Sequence, residues 1–197
     1  MSNWSWAITD KFESGSLRLP SGVTARLAVE RLPHWPDPNR SVFTYGSPEA
    51  TCFDMVAAFA ASPDKSRALW PGRIIKVPLG FRIIDMSIVD DDGDPVPGIG
   101  LDFQLRARSG LAAAHGVTLV NSIGTIDADY RNEVAVLLTR FVADAQTVPP
   151  HTPTQPHVFQ IRHGDRVAQA TIGMVLRPGD FSNAEARNGG FGSTGVR

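Results

Sequence analysis

The sequence predicts an all-β domain, and three observations carry that reading. Glycine and proline are frequent, at 18 and 15 of 197 residues, and they interrupt the chain every few positions. Between them lie short runs rich in β-branched and apolar side chains, the residue types that fit a pleated, half-buried surface. No run combines the length and period of a typical helix except 134–145, where strand and helix patterns compete. Many short strands punctuated by turns are the pattern of a closed barrel or a sandwich, with few and short helices.

The candidate strands, in chain order, are 25–29, 73–77, 81–89, 117–120, 134–138, 158–161 and 167–176. Residues 1–22 carry Trp4 and Trp6 without clear periodicity and read as an N-terminal extension, either a frayed end or an arm lying on a neighbouring subunit. The domain proper runs over 23–177. Leu32–Pro38 is a rigid irregular connection, because its three prolines remove backbone donors and restrict the residues before them. Asp90–Pro95 is an acidic hairpin turn that lacks the terminal glutamate of a calcium loop. A proline-bearing loop spans 144–157; its His151 and His157 do not by themselves make a metal site. Residues 178–197 form a glycine-rich tail with almost no aliphatic anchor, expected to be mobile, in which Phe191 stands isolated among glycines. An aromatic ring in such a setting is suited to closing over a flat ligand.

Composition narrows the function classes. Hydrophobic residues at 42% suffice for a core, and charged residues at 20% do not suggest disorder. A net charge of -1 gives no long-range attraction to a nucleic-acid backbone, so stable nucleic-acid binding is not expected. Cys52 is the sole cysteine, which excludes an intrachain disulfide framework and a cysteine-rich zinc site. No stretch reaches the apolar length of a membrane span, and a reducing, cytoplasmic setting is expected.

Four segments concentrate polar chemistry. Arg108-Ser109-Gly110 offers a planar cation and a compact hydroxyl, both good donors to phosphate oxygens. Residues 121–133 place Asn121, Gly124, Ile126, Asp127, Asp129 and Tyr130 close together. On a continuous strand Asp127 and Asp129 share one face, with Ala128 opposite. Gly164-Asp165-Arg166 precedes Gln169, whose amide suits a phosphate or a bound water, and the glycine-rich tail is the fourth segment. Each alone reads equally well as a surface turn or a polar strand position. The chain has no P-loop sequence and no zinc-deaminase motif.

Together these segments resemble the ordered motifs of the trimeric deoxyuridine triphosphatase (dUTPase) family, from about residue 23 to 195. A first motif, 50–58, resembles the family pattern with Cys52 in place of its glycine. The resemblance implies a jelly-roll β-barrel that assembles as a homotrimer with shared active sites. It implies hydrolysis of dUTP to dUMP and pyrophosphate, with Mg²⁺ as cofactor and Asp54 on the metal side. Arg108, Ser109, Gly110 and Gln169 then contact phosphate. Asn121, Gly124 and Ile126 belong to the uracil-reading segment, Asp127 activates water, and Tyr130 packs under the deoxyribose. Asp165 and Arg166 serve structural pairing. Phe191, Gly192, Ser193 and Thr194 close over the nucleotide, Phe191 by stacking on uracil. One departure is Ala186, where the family carries a phosphate-binding arginine; Arg187 lies one position on. The long N-terminus and the extended 85–102 and 144–157 regions exceed a minimal member. They are compatible with a virus-encoded protein that has a regulatory protein partner. Competing readings are a dCTP deaminase, alone or bifunctional, and a regulatory protein-binding module on the same fold.

Overall fold

A computed structural model describes residues 5–60, 65–141 and 158–177. They form thirteen strands and one short helix. One sheet joins β1 (Ser5–Ile8), β2 (Phe12–Arg18), β3 (Thr24–Arg31) and β7 (Phe81–Val89) in the order β1-β2-β3-β7. A second joins β4 (Phe53–Val56), β8 (Ile99–Arg106), β10 (Ile123–Ile126) and β13 (Arg166–Leu176) in the order β10-β8-β13-β4. β6 (Ile74–Pro78), β11 (Ala135–Arg140) and β9 (Val117–Leu119) make a third sheet, and β5 (Ser66–Leu69) pairs with β12 (Phe159–Arg162). All the pairings are antiparallel.

The sheets share one core. Leu27 on β3, Met55 on β4, Ile83 on β7, Phe103 on β8, Leu138 on β11 and Ile161 on β12 all lose essentially all solvent exposure and belong to one cluster. A chain of aromatic contacts crosses it: Trp6 meets Phe43 at 4.5 Å between ring centroids, Phe43 meets Phe53 at 5.2 Å, Phe53 meets Phe103 at 6.2 Å and Phe103 meets Phe81 at 5.9 Å. Within 134–145 the described residues resolve as a strand over Ala135–Arg140: β11 lies between β6 and β9, so its backbone groups enter two ladders, while residues 142–145 lie outside the described residues. β8 turns Leu101, Phe103 and Leu105 into the core, while Gly100 and Asp102 on its other face are buried as well. The helix α1 (Ser109–His115) ends at Gly116, whose φ of 66° lets its N–H reach the Leu111 and Ala112 carbonyls. A Cβ at Gly116 would also run into the Phe141 carbonyl oxygen. Among the described residues no helix is long and apolar enough to cross a membrane.

The N-terminal region differs from expectation. Residues set apart as an extension supply β1 and β2, and β2 pairs with β3 from Phe12 to Arg18. The reason is a buried ion pair. Glu13 is fully buried on β2; its carboxylate accepts from the Ser41 hydroxyl at 2.5 Å and the Val42 N–H at 3.0 Å, and faces Arg31 Nε at 3.5 Å. Arg31 in turn donates to the carbonyls of Thr9, Asp10 and Pro38. One guanidinium therefore ties the β1–β2 turn, β3 and the 38–42 segment together. Replacing Glu13 with alanine leaves that cation buried without its counter-charge, which should cost about 3–5 kcal/mol of unfolding free energy. Denaturant unfolding at fixed protein concentration measures it.

Candidate active site

Antiparallel register builds the first half of the site. Gln169 on β13 lies opposite Asp54 on β4 and opposite Arg106 on β8, so the three occupy one row across the sheet. Arg108 and Arg166 reach the same carboxylate from two sides: Arg108 Nε stands 3.2 Å from Asp54 Oδ1, and Arg166 Nη1 donates to Oδ2 at 3.1 Å. Arg108 Nη1 also donates to the Arg166 carbonyl at 3.0 Å, and Gln169 Nε2 donates to the Ala107 carbonyl at 3.0 Å. Segments 50–58, 108–112 and 164–169 thus converge within one chain. Arg108 precedes α1, and Ser109 and Gly110 form its exposed first turn, where backbone N–H groups lack intrahelical acceptors. The result is a cluster of donors around one carboxylate, suited to receive a polyanion.

The structural pairing expected of Asp165 and Arg166 takes two separate partners: Asp165 accepts from the Arg162 N–H at 2.7 Å, while Arg166 goes to Asp54. Asp54 is not an open metal ligand, since each of its oxygens faces a guanidinium. Among the described residues no three His, Cys, Asp or Glu side chains gather as a metal cage. These residues do not fit a protein-held Mg²⁺; such an ion suits phosphate oxygens and water better.

The third segment builds a second cluster. The turn after β9 carries Asn121 and Ser122, the latter at φ 60°, and leads into β10. Gly124 is buried there: a Cβ would stand 3.3 Å from Leu105 Cβ and 3.5 Å from Asn121 Nδ2, so glycine keeps the Asn121 amide close to the strand. Ile126 packs in the core. β10 ends at Ile126, and the Tyr130 N–H donates to the Asp127 carbonyl at 3.1 Å, closing a turn. Strand alternation therefore does not govern Asp127 and Asp129. Both, with Ala128, Arg131 and Arg177, line a hollow of about 360 Å³. The Tyr130 ring packs against the core while its hydroxyl donates to the Glu133 carbonyl at 3.2 Å. Burial chiefly, then the Glu133 carboxylate, raises the Tyr130 phenol above its ordinary value, so it stays a donor.

Within one chain these clusters stand at opposite ends of the β8–β10 ladder. Ile123 is opposite Arg106, in the row of Gln169 and Asp54, and Asp127 lies four residues further along. At strand rise that is about 13 Å. A single chain therefore does not bring Asp127 to Ser109 and Gln169. Phe191, Gly192, Ser193 and Thr194, together with Ala186 and Arg187, lie outside the described residues. Arg166 belongs to the first cluster, where the sequence assigned it only structural pairing; Arg106 shares the row but donates to Gln104. Arg166 reaches an acid 112 positions away, a pairing for which adjacency gives no signal.

Comparison with known proteins decides the family. The chain is 43% identical over 136 residues to the deoxyuridine 5'-triphosphate nucleotidohydrolase of Treponema pallidum subsp. pallidum, covering 66% of this chain and 81% of that protein. The chain belongs to the dUTPase family. The enzyme of the same name from Methylocella silvestris is 38% identical over 175 residues, 86% of this chain and 91% of that protein. No protein-family model matches the chain. Among solved structures, the dUTPase from phage phi11 of S. aureus shares the fold at a TM-score of 0.53 and 16% identity, over 82% of this chain and 97% of that one. The all-β dUTPase barrel expected from the resemblance is thus the fold observed.

The arginine clamp on Asp54 is a stability element as well as a site feature. Asp54→Asn leaves two guanidinium groups side by side without a counter-charge. With Arg166 half exposed, solvent screens part of the loss, and a decrease of roughly 1–3 kcal/mol in unfolding free energy is expected. Urea titration of the two proteins side by side gives the value.

Proposed function

We propose that this dUTPase-family chain hydrolyses dUTP to dUMP and pyrophosphate. Relatives that carry the nucleotidohydrolase name align over most of their length with this chain, and they do not favour the deaminase or binding-only alternatives. The observation that carries the mechanism is the division of the site. A cationic, donor-rich cluster lies at one end of the ladder and an acidic turn beside a half-buried tyrosine at the other. A homotrimer with shared sites joins them, the first cluster of one subunit facing the Asp127 turn of another.

In that arrangement Arg108, the Ser109 hydroxyl, the first-turn N–H groups at Ser109 and Gly110, and the Gln169 amide hold the triphosphate. Asp54 orients Arg108 and Arg166. A Mg²⁺ ion arriving with the nucleotide would supply neutralisation of its charge. Asn121 and the strand edge around Gly124 and Ile126 read the uracil. Tyr130 lies under the deoxyribose and leaves no room for a 2′-hydroxyl. Asp127 accepts a proton from water as its oxygen bonds to the α-phosphorus. The bridging bond to the β-phosphate breaks in line, and the electron pair leaves with pyrophosphate. Donors fixed in place before the reaction stabilise the charge that develops on the phosphoryl oxygens. Residues 178–197, with Phe191 to Thr194, are assigned closure over the base, and the cytoplasm is the setting this reading implies.

Incubation with dUTP, dCTP, dTTP and UTP in the presence of Mg²⁺ tests the assignment. Selective release of dUMP and pyrophosphate from dUTP supports it, while dUTP appearing from dCTP would refute it. Asp127→Asn should lower kcat by roughly 10²–10⁴-fold, the range for loss of a general base, with nucleotide affinity largely retained in equilibrium binding. Tyr130→Ala should erode discrimination against UTP by roughly tenfold or more, since a pocket rejects an added hydroxyl only modestly once its wall is removed. The ratio of kcat/KM for dUTP and UTP reads this directly.

A further inference from the structure

Glu133 joins three segments that are remote in the chain. Its Oε1 accepts from the Gly80 N–H at 2.9 Å and meets His34 Nε2 at 2.7 Å. Its main-chain carbonyl accepts from the Tyr130 hydroxyl at 3.2 Å. One residue thus ties the turn after β10 to the link between β6 and β7 and to the proline-bearing connection 32–38. Its neighbour Val134 is fixed from both sides. The Val134 N–H donates to the Phe81 carbonyl at 2.9 Å, and the Val134 carbonyl accepts from the Leu79 N–H at 2.9 Å.

His34 approaches from a stiff support. Pro33 and Pro36 flank the His34-Trp35 pair and restrict its backbone. The Trp35 N–H returns to the Leu32 carbonyl at 2.9 Å, its indole N–H donates to the Arg40 carbonyl at 3.0 Å, and its ring meets Phe81 edge-on at 6.5 Å. The Leu32 N–H donates to the Gly80 carbonyl at 2.8 Å. A Cβ on Gly80 would stand 2.7 Å from Ala58 Cβ and 3.3 Å from Trp35 Cα, so the connection closes directly on Gly80. The His34 and Glu133 side chains are 19% and 30% exposed, which shelters their bond from competing water.

Tyr130 is held at two points. Its N–H donates to the Asp127 carbonyl at 3.1 Å and its hydroxyl to the Glu133 carbonyl, and the ring between them packs on the core. The height of the ring therefore follows the Glu133 carbonyl. That carbonyl is placed by Val134 on one side and by the anchored Glu133 side chain on the other. A wall that rejects one added hydroxyl has to hold its place within about 0.5 Å.

We propose that Glu133, braced by His34, is a positioning residue for Tyr130 and sets how strongly the site separates a deoxyribose from a ribose. The proposal rests on the reading of Tyr130 as the floor under the sugar. It assigns Glu133 and His34 no contact with the nucleotide.

The test measures kcat/KM for dUTP and for UTP in the parent protein and in Glu133→Ala, Glu133→Gln and His34→Ala. Glu133→Ala should lower the dUTP-to-UTP ratio about three- to tenfold, the change expected from losing one or two neutral hydrogen bonds, with kcat for dUTP changing less than the ratio. Glu133→Gln keeps an acceptor for Gly80 and His34 and should restore most of the ratio. His34→Ala should lower it about two- to threefold. In a Tyr130→Phe background the Glu133→Ala effect should vanish, because the hydroxyl through which it acts is gone. Fluorotyrosine labels Tyr45 and Tyr130, the two tyrosines of the chain. The Tyr130 fluorine resonance should move in Glu133→Ala without any substrate and return in Glu133→Gln. An unchanged ratio in Glu133→Ala and His34→Ala overturns the proposal, as does an undiminished effect in the Tyr130→Phe background. An equal loss for both nucleotides would mark a purely structural role and also overturn it. If Glu133→Ala does not fold, His34→Ala carries the same comparison. If the parent protein fails to hydrolyse dUTP, the functional reading falls, and the fluorine resonance still decides whether Glu133 places the ring.

Discussion

The rest of the site depends on the register of β8 between β10 and β13. Each antiparallel ladder places residues directly opposite one another, and a slip of one residue would turn every side chain to the other face. In the observed register Asp54, Gln169 and Arg106 fall in one row across three strands. The same register sends Leu101, Phe103 and Leu105 into the core. Burial of those three side chains therefore enforces the alignment of the polar ones. Apolar packing, which has no directional preference, becomes the means of aiming a carboxylate and an amide.

The outer side of that sheet carries a polar line. Arg106 donates to Gln104 at 2.8 Å and Gln104 donates to Asp102 at 2.9 Å, so three alternate residues in the second half of β8 are joined. Glycines make the packing possible. A Cβ at Gly173 would collide with the Asp102 carboxylate, and one at Gly100 with Arg177. Here glycine matters for the volume it does not fill, whereas at Gly116 a positive φ is also required.

The N-terminal strands show how one buried charge can recruit a segment that has little apolar surface. β1 is exposed along its length, and β2 buries few side chains. Glu13 nonetheless lies at full depth because Arg31, the Ser41 hydroxyl and the Val42 N–H surround it. Such a pair adds little net energy relative to an apolar substitute, yet removing either half is expensive. Its value is to specify one docking of the hairpin. The pattern of residues 1–22 contains no hint of this, since Glu13 becomes a core residue only when Arg31 and Ser41 have been folded around it.

Local pattern determined a good deal by itself. Runs of β-branched residues between glycines and prolines marked seven of the strands, and that pattern predicted the all-β fold. The ordered segments around Asp54, Arg108, Asp127 and Gln169 carried the resemblance to the dUTPase family, although each alone is an ordinary turn or polar strand position. Three-dimensional packing decided the rest. Whether 135–140 was strand or helix was settled by two ladders competing against local propensity. The partner of Arg166, the engagement of both Asp54 oxygens and the approach of Arg177 to the Asp127 turn all join positions dozens of residues apart. Periodicity reports which face a side chain takes along its own strand; which distant side chain it meets is set by cross-strand register and the volume left by neighbours, and neither is written in any single segment.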